Sequence, residues 1–110
     1  MSNFENYAPA ETVRIEFEDY AGNPTGEWLN VRRIDSQEVV QAYLEYNRAV
    51  AEGADQEKLG TNLLCIMIES WSFDDALSTE SVQRFATVFP AVVDQIITAA
   101  QTKANFVAKK

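Results

Sequence analysis

Few side chains in this sequence suit chemistry, and those few are poorly placed for it. Asp74 and Asp75 are adjacent carboxylates. Two carboxylates can divide proton-donor and proton-acceptor roles, or offer hard oxygen ligands to a cation. Consecutive residues rarely converge on one point, however, and no third ligand lies nearby in sequence. Loop aspartates of this kind ordinarily make local turn hydrogen bonds. Cys65 sits between Leu64 and Ile66 with no basic neighbour to lower its pKa, so it reads as a buried, inert thiol. Histidine is absent. That removes the commonest general base near neutral pH, the partner of serine and cysteine nucleophiles, and the commonest metal ligand. The loop from Gly22 to Gly26 lacks the lysine and serine or threonine that complete a phosphate-binding loop, and it leads into a strand. It is therefore a hairpin turn. Arg32 and Arg33 can be read as an anion clamp, but arginines at a strand end paired with abundant carboxylates are the more economical account. No catalytic, cofactor-binding or metal-binding residue is assigned, no cofactor is expected, and the chain is not expected to be an enzyme.

The composition points to protein binding instead. Nine Lys and Arg against seventeen Asp and Glu give a formal charge of −8. Such a surface repels phosphate backbones and anionic lipid, so neither nucleic acid nor membrane is an expected partner. Solubility, or a partner that carries positive charge, is the better use of it. With 110 residues, 46% hydrophobic and 24% charged, the chain has the make-up of one globular domain. The longest uninterrupted apolar run, Leu63 to Ile68, is too short to span a bilayer. The polar stretch from Met1 to Ala10 lacks the cationic start and apolar core of an export signal. A lone cysteine forms no intrachain disulfide and suits a reducing cytosol.

Aromatic residues are the remaining candidates. Trp71 and Phe73 can serve as a binding anchor, since aromatic side chains dominate interface hot spots, or they can plug the end of a helical core. Phe106 lies past the last good helical stripe beside the charged Lys109-Lys110 tail. It either docks against another chain or packs at home.

The elements that must hold these residues follow from periodicity. Residues 1–12 carry Pro9 and little pattern, which suggests a mobile or surface-draped arm. Val13, Ile15 and Phe17 alternate with Arg14, Glu16 and Glu18, as in a half-buried strand. After the Gly- and Pro-rich turn, Trp28, Leu29, Val31 and Ile34 resume an extended pattern, so 13–34 is expected to form a β-hairpin. Asp35 with Glu38 can cap a first helix bearing Val39, Val40, Tyr43, Leu44 and Val50, ended by Gly53. Asp55 can cap a second, with Leu59, Leu63, Ile66, Met67 and Trp71 on one face and Leu64, Cys65 and Ile68 thickening it. An all-round apolar helix must be central, covered within the monomer or across a subunit contact. Ser78 or Thr79 starts a third helix with Val82, Phe85 and Phe89. Pro90 then either kinks the chain or opens a fourth helix through Val93, Ile96, Ile97 and Ala100. The fold class expected is mainly α, an α+β single domain with an N-terminal hairpin followed by a helical bundle over 35–106.

The stretch Leu63–Phe106 is similar to the tail assembly chaperones of long-tailed bacteriophages. The resemblance rests on an apolar segment ending in tryptophan (LLCIMIESW), an aspartate-bearing loop closed by LSTES, an aromatic helix reaching Phe89-Pro90, and an Ile-rich helix ending in Ala104-Asn105-Phe106. Where that pattern carries a glycine after the loop aspartates, this chain has Ala76. The resemblance implies a small, largely helical protein that binds the long, helical tape measure protein, shields its apolar stretches, and leaves before the virion is complete. It also implies work in the host cytoplasm and, in many members, a frameshifted longer form that recruits the tail tube protein. Lys109-Lys110 is compatible with the slippery site such a shift needs. On this reading the last two helices face the partner, with Phe89, Ile97 and Phe106 as candidates beside Trp71 and Phe73. Groove docking of an amphipathic segment against an acidic domain would serve that purpose. Self-association through the over-apolar second helix is a further expectation. The rival readings are a tail or head-completion subunit retained in the virion and a small acidic adaptor.

Overall fold

A computed structural model describes residues 4–107; the tail lysines Lys109 and Lys110, like Met1 to Asn3, lie outside the described residues. Strand β1 (Thr12–Glu18) pairs antiparallel with β2 (Pro24–Arg32), placing Ile15 opposite Leu29 and Thr12 opposite Arg32. The turn between them closes on Asp19, whose carboxylate accepts the Asn23 N–H at 2.9 Å. Gly22 supplies the left-handed residue there, at φ +86°, a conformation that costs glycine little. Before the hairpin, residues Phe4–Tyr7 form a 3-10 turn. The Ala10 N–H then bonds the Phe106 carbonyl at 2.8 Å, laying this segment over the C-terminal 3-10 turn Lys103–Phe106.

Helix α1 (Gln37–Ala51) is capped by Ser36, whose hydroxyl accepts from the Val39 N–H. This corrects the expectation for Asp35 and Glu38. Their carboxylates are engaged by the two strand-end arginines, Asp35 with Arg33 at 2.7 Å and Glu38 with Arg32 at 3.4 Å, which leaves the next hydroxyl to satisfy the helix start. Gly53, at φ +87°, ends the helix as expected. Helix α2 (Gln56–Met67) is capped by Asp55, and helix α3 (Thr79–Val88) by a reciprocal pair in which Ser78 and Ser81 each accept the other's N–H. Pro90 opens helix α4 (Pro90–Gln101) at its first turn, where a missing N–H costs nothing.

The second helix does not run on to Trp71. It stops at Met67, and Ile68–Trp71 becomes strand β3, antiparallel to β2 with Val31 opposite Ile68 and Leu29 opposite Trp71. The sheet therefore has three strands in the order β1-β2-β3, where a two-stranded hairpin was expected. The physical reason is the open edge of β2. Its unpaired backbone groups gain a ladder partner, and Asn30 Nδ2 donates to Ser70 Oγ at 2.9 Å across the new pair. β-branched Ile68 and aromatic Trp71 suit a pleated surface.

One face of the sheet is covered. Phe17, Leu29 and Val31 meet Met67, Val82, Phe85, Val92 and Ile96 in a single core, with α2, α3 and α4 supplying the helical side. Helix α2 is central, touching α1, α3, α4 and both β2 and β3, yet its Ile66 stays exposed. Ile96 and Ile97 are sequence neighbours with opposite fates, the first at 0% exposure and the second at 37%. Ile96→Ala should lower the free energy of unfolding by about 2–5 kcal/mol in urea titration. Ile97→Ala should cost about 1 kcal/mol or less. Equal costs would contradict this packing.

Candidate partner-binding surface

Of the groups singled out for chemistry, Asp75 and Arg32 are occupied with structure. Asp75 accepts the Trp71 indole N–H on its carbonyl at 2.8 Å and holds Arg84 with its carboxylate at 3.0 Å. Arg32 also donates to the Ile66 carbonyl at 2.7 Å, so it ties β2 to the end of α2 and does not reach out as an anion clamp. Burial pushes the Cys65 thiol up from its ordinary value, and Arg32 draws it part of the way back. Among the described residues no three of His, Cys, Asp and Glu gather into a site for a metal ion.

Of the five aromatic and aliphatic candidates, the structure brings three together. Trp71 and Phe73 meet edge to face at 5.3 Å, and Phe89 lies 5.0 Å from Phe17 and 5.2 Å from Phe85. These rings close one end of the core. Their outer edges, with Val88, line a shallow hollow of about 180 Å³. Phe106 is elsewhere and packs at home: at 3% exposure it is a core residue beneath the draped N-terminal segment, so it offers no open surface. Ile97 stands apart from the ring cluster, on the outer side of α4.

Ile97 borders a larger feature. Helix α1 packs chiefly on α2, through a row formed by Val39, Ala42, Tyr46, Ala49 and Val50. A second row on α1 is left over: Val40, Tyr43 and Leu44 are exposed, Leu44 at 63%. Between this row and α4 lies an open trough. One part, about 470 Å³, is floored by Gly60, Leu64 and Met67 of α2 and walled by Tyr43 on one side and Val93 and Ile97 on the other. The next part, about 280 Å³, continues past Tyr43 to Val40, Leu44 and Ile34. Tyr43 and Tyr46 stack at 6.2 Å along the α1 wall.

The sequence showed Ile97 but not the α1 side of this trough. Val40, Tyr43 and Leu44 carry the same helical spacing as core residues. The available signal was width: Val39 to Val50 and Val40 to Leu44 form two adjoining rows, more than one neighbouring helix can cover. The overall shape agrees. The radius of gyration is 15.3 Å, with extents of 47 × 41 × 22 Å, against about 13 Å for a compact chain of this length. A spread, flat molecule leaves apolar surface uncovered.

These features define a small α+β domain whose helices cover one face of a three-stranded sheet and present an uncovered apolar trough. A family model described as phage tail assembly chaperone matches residues 6–106, and the chain belongs to that family. Membership implies interaction with tail proteins. No curated protein and no solved structure matched the chain. Among the described residues no helix is long and apolar enough to cross a membrane.

Cys65 is half-buried against the core where the sequence suggested a fully buried thiol, and it gives a direct check on the packing of α2. Because burial raises its pKa, less thiolate is present at any given pH. Iodoacetamide should modify Cys65 more slowly in the folded protein than in urea, and the folded-state rate should level off at a higher pH. A folded rate equal to the unfolded one would place the thiol in solvent.

Proposed function

We propose that this protein is a tail assembly chaperone that binds the tape measure protein and keeps it soluble until the tail is built. The observation that carries the reading is the uncovered apolar trough beside Ile97 on a domain of net charge −8. A long helical partner with exposed apolar stretches aggregates through those stretches. Covering them with a small acidic domain removes the sticky surface and gives the complex a repulsive charge that keeps neighbouring complexes apart. The rings at the end of the core, Trp71, Phe73 and Phe89, offer a second, smaller contact. Phe106 has a different task, anchoring the chain beyond α4 under the N-terminal segment.

Binding of this kind is reversible and needs no cofactor. The chaperone acts in the host cytoplasm and departs as tail tube protein assembles around the tape measure, helped in recruitment by a frameshifted longer form. Two measurements test the reading together. Co-expression should move an otherwise insoluble tape measure protein into the soluble fraction, and mass spectrometry of purified virions should find none of this chain. A tape measure protein that stays insoluble would refute the chaperone reading. Stoichiometric recovery of the chain from virions would instead make it a structural subunit.

A further inference from the structure

We infer that the N-terminal segment and the C-terminal 3-10 turn form a clasp, latched by Phe106, that opens as a unit while the sheet core stays folded. Opening it bares an apolar patch that the closed form conceals. The clasp goes beyond the chaperone reading and does not rest on it.

The latch is buried apart from the main core. Phe106 is 3% exposed, yet it is not among the side chains that pack together around Phe17, Leu29, Val31 and Ile96. Small clusters of this kind sit under surface segments, and their burial lasts as long as the cover stays down. Here the cover is thin. Residues 5–9 are all exposed, Tyr7 at 82%, so they bury little that could hold them in place. Their turn is closed locally by the Ala8 N–H on the Glu5 carbonyl at 3.1 Å. Among the described residues one backbone hydrogen bond joins this segment to the C-terminal turn, from the Ala10 N–H to the Phe106 carbonyl.

The other half of the clasp is fastened to the end of α4 by its own short-range bonds. Asn105 Nδ2 donates to the Ala99 carbonyl at 3.1 Å, and Thr102 Oγ1 donates to the Thr98 carbonyl at 2.6 Å. Between the halves lies a hollow of about 360 Å³, with Tyr7 and Pro9 on one side and Ala100, Phe106 and Val107 on the other. Two segments that face each other across an open hollow share few apolar contacts. Regions held by few buried contacts and by exposed hydrogen bonds open at a free energy well below that of the whole domain.

Opening has a direct consequence for the surface. Once the Ala10 bond is broken and the segment lifts, the Phe106 ring and the Ala100 side of α4 meet water beside Ile34, which is already 37% exposed. The shared bond makes the coupling reciprocal. Displacing residues 5–10 loosens the C-terminal turn, and displacing the turn loosens the segment.

Native-state hydrogen exchange on the full chain, read amide by amide by NMR, tests this. The N–H groups of Ala10 and Asn105 should exchange at least roughly a hundredfold faster than that of Ile96 in α4. Their rates should also depend less steeply on urea, because opening the clasp exposes little surface. Equal protection and equal urea dependence at all three sites would overturn the proposal, since clasp and core would then be one cooperative unit. In Phe106→Ala, exchange at Ala10 should rise roughly tenfold or more while Ile96 stays protected at least roughly a hundredfold. Unchanged exchange at Ala10 would overturn the latch, and loss of protection at Ile96 would overturn its independence from the core. Ala10→Pro removes the donor and leaves every core side chain in place, so it reads the coupling from the other end. Exchange at Asn105 should rise roughly tenfold, and anilinonaphthalene sulfonate fluorescence should rise with helical circular dichroism unchanged. Absence of either rise would overturn the proposal.

Discussion

The inner face of β2 is the fixed point of this structure. Leu29 and Val31 are fully enclosed, and that enclosure requires a strand on each side and a helical layer above. β1 supplies one neighbour through a tight turn. The other neighbour, β3, is taken from the end of an apolar segment that would otherwise have continued as helix. Once β3 is in place, α2 is pinned where it enters the sheet, and α3 and α4 follow as the cover over Phe17, Leu29 and Val31. Burial of branched and aromatic side chains here, at about 25 cal/mol per Å² of apolar surface removed from water, dominates what holds the domain together.

Helix α1 is outside this arrangement, and that is its significance. Three helices suffice to cover one face of a short three-stranded sheet. α1 attaches to the outside of α2 and closes no part of the sheet core beyond Val39. Its second apolar row therefore has no partner within the chain, and with α4 opposite it forms the trough. A domain whose core is complete without one helix can spend that helix on binding. The acidic composition belongs to the same logic, because exposed apolar surface is tolerable in solution when net charge keeps molecules apart.

What was legible in the sequence was local. Asp55, Ser78, Gly53 and Pro90 act at helix ends through their own hydrogen bonds and fixed dihedral preferences, so their roles can be read from a few neighbouring residues. The alternation from Val13 to Phe17 and the turn at Gly22 gave the hairpin for the same reason. β3 was not legible. The segment LLCIMIESW is consistent with one helix, and only the distant edge of β2 converts its last four residues to strand. Ser36 replaced Asp35 as a cap because the strand-end arginines Arg33 and Arg32 hold the carboxylates of Asp35 and Glu38. At the candidate surface, Ile97 was readable as a stripe residue. Whether Phe106 faces in or out, and whether Val40, Tyr43 and Leu44 meet a neighbour, depends on how many helices the sheet can accommodate, which no local pattern encodes.

The central claim is that apolar surface left uncovered between α1 and α4 is where another polypeptide is gripped. Site-specific photo-crosslinking in cells making tail proteins tests it most directly. A photoreactive residue at Leu44, on the α1 wall, should give crosslinks to a tail component, while one at Glu16, on the opposite face of the sheet, should not. Crosslinks from Glu16 and none from Leu44 would contradict the account.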